Sequence, residues 1–418
     1  MVKHSNFQQL SRGQLATLVP ELLLCGHLID RSGMAQLIGA LGREGMTAVA
    51  IEEWAAASPI YTRRMQDALN FRGDSVETIF KGLQFDIGAP PQFMDFRFRV
   101  DDHDHGEFWL DHCGALMDVE VLGDEYVTAM CHDIEDPTFD ATAAATNPHA
   151  QVRPIHRPPR RPPDRVPNCA WRVTIDPLYE PQSDPPHAEA LAESHAARFD
   201  LVPIDPADSG RSDYTGPLLS DVRFADFSAS ALVRIADEIC LQQHLLTLGF
   251  TQAVRARTTE ADALAIGRRQ FGGIAGLTAE RIRRALGLGR DLEALVHVLR
   301  VHPAVNPAGY GGVSIAADGP LRLRIAQHSP AQADGGWLSL LGPDHLDPLD
   351  ALVRGVDARF YTSVVAADED ALTIQIDTAA TPFPEATEVA LTRFSSGANF
   401  QFNDGRIPLP LTVGVMRR

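Results

Sequence analysis

The segment Arg63-Arg64-Met65-Gln66-Asp67-Ala68-Leu69 decides the fold, because a closely similar segment recurs in the second half of the chain. The second segment reads Glu280-Arg281-Ile282-Arg283-Arg284-Ala285-Leu286. Each ends a stretch with the apolar spacing of a helix, and Pro90 and Pro307 follow the two segments at equal distances. This recurrence predicts an internal duplication, which has to be recognised before other features of the fold are interpreted.

The elements around the two segments are predicted in the same order. Helical patterns come first, and the period then changes to the apolar–polar alternation of a half-buried strand, as in 93–100. Two strands, a helix and a closing strand follow in each half, at 96–100, 108–113, 124–134 and 170–176, and at 313–316, 321–326, 348–356 and 371–377. We therefore predict an α+β fold, a tandem duplication of a domain in which helices precede a mainly antiparallel sheet.

Length and composition predict two domains joined by a linker. A chain of 418 residues is too long for one ordinary core. We expect a first domain at 1–176, a linker at 177–220 that is rich in proline, aspartate and serine, and a second domain at 221–418. Residues 146–168, rich in proline, arginine and histidine, are predicted to form a loop. The linker is predicted to contain a short helix near 188–197.

Charge and cysteine content exclude several classes of function. A formal net charge of −18 argues against nucleic-acid binding, which needs clustered lysine and arginine, and against docking on anionic membranes. We expect no secretory signal and no membrane span. Five cysteines in a large chain do not indicate a disulfide framework, so we expect a cytoplasmic protein with reduced thiols.

Ligand-type side chains concentrate between positions 101 and 169. Imidazole, thiolate and carboxylate groups are the donors that zinc and iron use, so the sequence predicts a metal site. The candidate ligands are His103, His105, Cys113, Cys131, His132 and Cys169. Asp133 or Glu135 would then act as general base towards a metal-activated water.

The second half serves as an internal control for this cluster. Aligned with it, Ser329 replaces Cys113, the segment 353–356 replaces 130–133, and Asp370 replaces Cys169. Polar or charged residues in place of the cysteines favour a site specific to the first copy, the second copy being degenerate.

Two further interpretations of these residues stay open. Cys131 could be a thiolate nucleophile with His112 as its base, since a cross pair is easier to form than a pair of sequence neighbours. Arg153 and Arg157 could bind a substrate carboxylate through their guanidinium groups. Alternatively, each cysteine is only a small buried hydrophobic residue.

The pattern of three cysteines resembles that of a known family. A strand ends in Cys113, a helix carries Cys131 and Asp133, and a strand opens with Cys169. In these features the chain resembles L-2-amino-thiazoline-4-carboxylate hydrolase-like proteins, which are related in layout to small-molecule-binding domains of the 4-vinyl reductase type. The resemblance covers about 80 residues of the first copy and implies a buried small-molecule pocket and hydrolysis of a C–N bond or a ring.

The sequence leaves three functions open, one of them an interaction protein in which all the cysteines and histidines are incidental; the other two involve the site. The first is an intracellular enzyme that hydrolyses a small organic molecule by metal-assisted or Cys/His-dependent chemistry. The alternative is a non-catalytic small-molecule or metal-binding sensor module, whose second domain serves as a scaffold or as the surface of a homodimer.

Overall fold

The protein is an α+β molecule with two sheets, as the computed structural model describes for residues 4–403, 406 and 411–413. For residues 412 and 413 only the backbone is considered. Among the described helices, none has both the length and the apolar character that crossing a bilayer requires.

The first copy contains a long helix, four strands and several shorter helices. Their bounds are α1 Arg12–Ala68, α2 Val76–Leu83, β1 Met94–Val100, β2 His105–Cys113, α3 Gly114–Glu120, α4 Asp124–Thr128, a π-helix Ala129–Ile134, α5 Glu135–Ala144, β3 Ala150–His156, β4 Cys169–Ile175, α6 Ala188–Ala192 and α7 His195–Arg198. The backbone of α1 is interrupted at Gly42, whose φ of +70° lies in the left-handed region.

The second copy repeats the order of the strands and of the main helices, with two helices in place of α1, one extra short helix before its first strand and fewer short helices between its second and third strands. Its elements are α8 Ala229–Arg255, α9 Glu260–Ala285, α10 Leu292–Val301, α11 Ala308–Gly311, β5 Val313–Ala316, β6 Arg322–Ala326, α12 Pro330–Asp334, α13 Asp347–Arg354, β7 Phe360–Ala367, β8 Ala371–Thr378 and α14 Thr387–Thr392. A last strand, β9 Thr412–Val413, pairs in parallel with β1.

The two sheets have the same topology, which agrees with the predicted two-copy layout. The first has the order β3-β4-β2-β1, extended by β9, and the second has the order β7-β8-β6-β5. All neighbours other than β9 are antiparallel. Four antiparallel strands in one order, each set preceded by a helical pair, are the arrangement that the duplication predicts.

A constant offset of 217 positions relates the helical parts of the copies. Ser11 and Ser228 are both N-cap residues whose side chains accept an amide three positions on, and Leu69 and Leu286 are both C-cap residues. The next residues, Asn70 and Gly287, both have positive φ, as a helix end of this kind requires. At this offset α8 and α9 correspond to the two parts of α1.

The copies pack as an internal pseudo-dimer with reciprocal ion pairs. Arg64 of the first copy bonds to Glu238 of the second at 2.8 Å, and Arg281 bonds to Glu21 at 2.7 Å. Arg281 lies 217 positions after Arg64, and Glu238 lies 217 positions after Glu21, so the two ion pairs are equivalent under the duplication. In a two-fold interface each contact occurs twice, with the roles of the two copies exchanged, and these ion pairs have that property.

The segment that follows the last strand of each copy contacts the other copy. Asp118 of the first copy accepts the amide of Ser396, while Asp334 of the second accepts the amide of His195. The Arg64 guanidinium bonds to carbonyls of the segment 197–199, and that of Arg281 to carbonyls of 397–400. One hydrophobic core therefore contains side chains from both copies.

Residues 177–220, predicted as a linker, are mostly irregular and include the short helices α6 and α7. The segment is packed against the protein rather than extended. Tyr214 is fully buried, and its ring contacts Phe71 and Phe85 at centroid distances of 5.7 and 5.9 Å. Its hydroxyl donates to Gln84 at 2.7 Å. The domain boundaries at 176 and 221 remain predictions.

The prediction of a loop at 146–168 was wrong in part, because β3 lies within it. Ala150 and Val152 are buried towards the core, which supplies the apolar face of a strand. Pro154 is tolerated because β3 is an edge strand. On its outer side there is no neighbouring strand that would need the N–H group that proline lacks.

Two equivalences assumed between the copies were also wrong. Oδ1 of Asp140 in α5 accepts the amide of Val152 at 2.7 Å, and Oδ1 of Asp350 in α13 accepts the amide of Thr362 at 2.8 Å. Because Asp350 therefore corresponds to Asp140, the segment 353–356 is not the counterpart of 130–133.

The pairing of residues between neighbouring strands shows that the second equivalence, that of Cys169 with Asp370, was wrong. Cys169 pairs with Leu110 on β2, and Ala371 pairs with Ala326 on β6. Cys113 and Ser329 are each the N-cap of the following helix, so β2 and β6 are aligned at this end and Leu110 corresponds to Ala326. The counterpart of Cys169 is Ala371, a small apolar residue, and not Asp370.

Candidate functional site

Three of the predicted metal ligands, Cys113, Cys131 and Cys169, lie in one buried region. Cys113 ends β2, Cys131 lies in the π-helix, and Cys169 opens β4. The electrostatic influence of Glu135 reaches all three thiols, and Cys131 and Cys169 are each also affected by Cys113. The three thiols and Glu135 are therefore near enough to influence one another electrostatically.

The environment of these cysteines keeps them as thiols. Burial, with the Glu135 charge second, raises the pKa of Cys113 to about 12 and those of Cys131 and Cys169 well above the usual value. Cys113 also caps α3, where its sulfur accepts the amide of Leu116 at 3.3 Å. Nucleophilic cysteines have depressed pKa values, so this environment disfavours thiolate catalysis.

His103 and His105 lie far from the cysteines. Both are exposed, His103 in the turn before β2 and His105 as the first residue of that strand; His103 bonds to Asp104 at 2.7 Å and His105 to Asp102 at 2.8 Å. His105 and Cys113 are the two ends of β2, about 26 Å apart at the rise of an extended strand. These histidines cannot share a metal with the cysteines.

The other two histidines have partners of their own. His132 Nε2 bonds to the carbonyl oxygen of Pro158 at 2.7 Å. The ring of His112 lies 6.5 Å from Phe93 and 6.4 Å from Phe400, between centroids. No hydrogen bond between His112 and Cys131 occurs in the part of the chain that the structure describes.

The predicted base and the predicted arginine clamp are dispersed. Asp133 is exposed and lines a surface groove with Arg43 and Glu125. Arg153 bonds to Asp140 at 2.7 Å, and its side chain is 53% exposed. Arg157 pairs with Asp136 and lies over the Trp171 ring, 5.8 Å from its centroid. Both guanidinium groups are thus already paired with carboxylates.

A cavity of about 100 Å³ lies beside the cysteine region. It is lined by residues of α1, the segment after α2, β1, α3, the π-helix and α5. Its wall is mostly aromatic and apolar, but three carboxyl groups line it, those of Asp30, Asp86 and Glu135. This volume suits a molecule of few non-hydrogen atoms, since pockets for drug-sized ligands measure about 300–1,000 Å³.

Asp30 belongs to a buried pair of carboxyl groups. Its Oδ2 accepts the indole N–H of Trp54 at 2.7 Å, and its carboxyl group is hydrogen bonded to that of Glu53, which is 1% exposed. Two adjacent carboxyl groups can bond only if one is protonated. Burial raises the pKa of both groups, but Arg31 and the Trp54 hydrogen bond oppose the rise for Asp30, whereas the Asp30 charge adds to the rise for Glu53. Glu53 is therefore the member of the pair that carries the proton.

Asp86 and Glu135 differ in the hydrogen bonds that their carboxyl groups accept from the protein. Oδ1 of Asp86 accepts the hydroxyl of Tyr61 at 2.8 Å and the amide of Gly88 at 2.7 Å, and burial raises the pKa of Asp86 to about 6. Burial raises the pKa of Glu135 to about 8, and its buried Oε2 has no hydrogen-bond partner among the described residues. Glu135 is therefore protonated at neutral pH.

The basic side chains of the wall do not neutralise these acids. Burial lowers the pKa of His27 to about 3, so its ring is neutral, and neither ring nitrogen has a partner among the described residues. Arg31 also lines the cavity, but its Nε donates to Asp118 at 3.1 Å. The cavity is thus acidic.

The second copy has the same fold without the acids. At the offset of 217 positions, the histidine is kept as His244, whose Nε2 donates to the carbonyl oxygens of Pro303 and Asn306 at 3.1 and 2.9 Å. The counterparts of Asp30, Glu53, Tyr61 and Asp86 are Thr247, Gln270, Thr278 and Pro303. The fold therefore does not require these carboxyl groups.

The sequence signal for this cavity was present but was not used. Glu135 was predicted as a general base, whereas His27, Asp30, Glu53, Tyr61 and Asp86 were not predicted. Asp30 and Glu53 are acids within apolar helical stretches, and comparison at a fixed offset shows which acids the second copy lacks.

The search for relatives gave no support for any family. Among the described residues, no group of three or more histidine, cysteine, aspartate or glutamate side chains is arranged to hold a metal ion. Comparison with protein-family models, with curated proteins and with solved structures gave no significant match.

Proposed function

We propose that the protein is an enzyme that acts on a small organic molecule in the acid-lined cavity, with carboxyl groups as its acid and its base. Hydrolysis is the reaction class, because it needs one group to take a proton from water and another to protonate the leaving group. The resemblance to hydrolase-like proteins points to the same class.

The two roles follow from the different environments of the carboxyl groups. Glu135, protonated at neutral pH, would be the proton donor. Asp30, held by Trp54 and by the proton of Glu53, would be the proton acceptor. Carboxyl groups whose pKa values are set apart by their surroundings are how enzymes divide acid and base roles.

The observation that carries this proposal is the difference between the copies. Burying a carboxyl group costs free energy unless it is well hydrogen bonded. The second copy folds with uncharged residues at the positions of Asp30, Glu53 and Asp86. The acids of the first copy therefore have no structural necessity in this fold, and a chemical role accounts for them.

A metal-binding module is the second candidate, with the three buried cysteines as its ligands, although among the described residues they are not arranged to hold a metal ion. In this alternative Cys113, Cys131 and Cys169 would supply soft ligands to zinc or iron, with Glu135 nearby. A closed site of this kind would serve as a sensor or structural element. Elemental analysis tests it, with Cys131→Ser as the variant and Cys240→Ser, another buried cysteine, as control.

Conversion of a mixture of small cellular metabolites tests the enzyme. The wild-type protein should deplete at least one metabolite, as followed by mass spectrometry. Glu135→Gln and Asp30→Asn should lower the rate by about 100-fold or more, while Glu369→Gln, a change on an exposed turn of the second copy, should not. Equal rates in all four proteins would exclude the assigned roles.

A further inference from the structure

Carboxyl oxygens in the cavity that lack a hydrogen-bond donor indicate what the ligand must supply. The Asp86 carboxyl group accepts both of its hydrogen bonds at Oδ1, so Oδ2 has no donor among the described residues. Oε2 of Glu135 has none either. Two carboxyl groups thus face one cavity, each with an oxygen free to accept a hydrogen bond.

The nearby positive groups of the first copy are already engaged. Arg31 is paired with Asp118, and Arg157, whose charge acts on Glu135, is paired with Asp136. His27 is neutral. A carboxylate buried in such a site is stabilised best by a cation that brings N–H donors with it. The ligand itself must then supply that cation.

The rest of the wall suits the carbon part of a small cation. Trp54, Phe96 and Phe139 line the cavity, together with Met34, Met94 and Met130. Aromatic faces attract an organic cation, and thioether groups adapt to irregular shapes. The volume of about 100 Å³ restricts the ligand to a few non-hydrogen atoms.

We propose that the ligand of this cavity is a compact organic cation, a primary ammonium or an amidinium, whose N–H groups donate to Asp86 and Glu135. This inference rests on the proposed function and specifies the substrate class of the same site. It takes Asp86 as the binding carboxylate and leaves Asp30 to accept a proton.

Pairs of probes that differ in charge but little in shape test the proposal on the full chain. Acetamidinium is compared with acetamide and ethylammonium with ethanol, by calorimetry and by saturation-transfer NMR. We expect both cations to bind at least 10-fold more tightly than their neutral partners. Asp86→Asn should weaken cation binding at least 10-fold, and Glu369→Gln should leave it unchanged.

Two outcomes would overturn the inference: equal binding of acetamide and acetamidinium, or no binding of either cation. Thermal unfolding of Asp86→Asn shows whether the variant is folded. If it is not, binding of acetamidinium by the wild-type protein at pH 5, where Asp86 is protonated, provides the second test, and it should be weaker than at pH 7. The proposed enzyme fails in a different way, through metabolite conversion that does not depend on Glu135, so the two failures are distinguishable.

Discussion

The hydroxyl of Tyr61 donates a hydrogen bond of 2.8 Å to Oδ1 of Asp86, and both side chains line the same buried cavity. Tyr61 is 2% exposed and Asp86 is 4% exposed. The bond stabilises the ionised form of Asp86, because a carboxylate accepts a hydrogen bond more strongly than a carboxylic acid does. Tyr61 thereby helps to hold the pKa of Asp86 at about 6 despite its burial.

Tyr61→Phe should raise the pKa of Asp86 further, because the carboxylate loses a donor that water cannot replace. We expect a loss of stability of about 1–3 kcal/mol at pH 7, and a smaller loss at pH 5, where Asp86 is protonated in both proteins. Chemical denaturation at the two pH values measures both. Tyr361→Phe, on β7, is the control. An equal loss at both pH values would contradict this account.

Glu135→Gln should change how stability depends on pH. The folded-state pKa of Glu135, about 8, lies above its ordinary value of 4.5. The folded chain therefore binds a proton more strongly than the unfolded chain. Its contribution to stability is fully present below pH 4.5 and is lost as the pH rises to 8, at up to about 1.4 kcal/mol per pH unit.

The glutamine variant should lack this decline. The difference between its unfolding free energy and that of the wild type should therefore shift in favour of the variant from pH 5 to pH 8. Unfolding free energies at pH 5, 6, 7 and 8 measure the difference, with Glu369→Gln as the matched control. Parallel curves for wild type and Glu135→Gln would mean that Glu135 titrates normally.

Glu21→Gln should destabilise the interface between the copies by about 3 kcal/mol, because it leaves the Arg281 guanidinium buried without its carboxylate. The Arg281 side chain is only 2% exposed. The reciprocal variant, Glu238→Gln, should cost a similar amount. Asp67→Asn, in the exposed pair with Arg72, should cost less than about 1 kcal/mol when measured by urea denaturation.

The thiols of Cys113, Cys131 and Cys169 should resist alkylation. Burial and raised pKa values keep them as inaccessible thiols, so iodoacetamide at pH 7.5 should label them at least ~100-fold more slowly than in the unfolded chain. Peptide mass spectrometry after timed labelling gives the rates. Fast labelling of Cys131 in the folded protein would restore the thiolate mechanism.

Local sequence was sufficient for most of the elements and for their repetition, but not for the edge strands β3 and β7. The alternation at 93–100 predicted β1, and the equal spacing of Leu69 to Pro90 and Leu286 to Pro307 predicted the two copies. These features depend on side-chain periodicity and on helix ends, which neighbouring residues control. The edge strand β3 was missed because Pro154 and the arginines around it conceal its short apolar face.

The sequence by itself determined the class of fold and the order of most of its elements. Only the tertiary structure decided that Asp30, Tyr61, Asp86 and Glu135, from different elements, line one cavity. It also decided that His105 lies about 26 Å along β2 from Cys113, with His103 in the turn before that strand. The physical reason is that periodicity fixes which face of an element is buried, whereas the packing of distant elements fixes which buried polar groups meet and how far their pKa values are shifted.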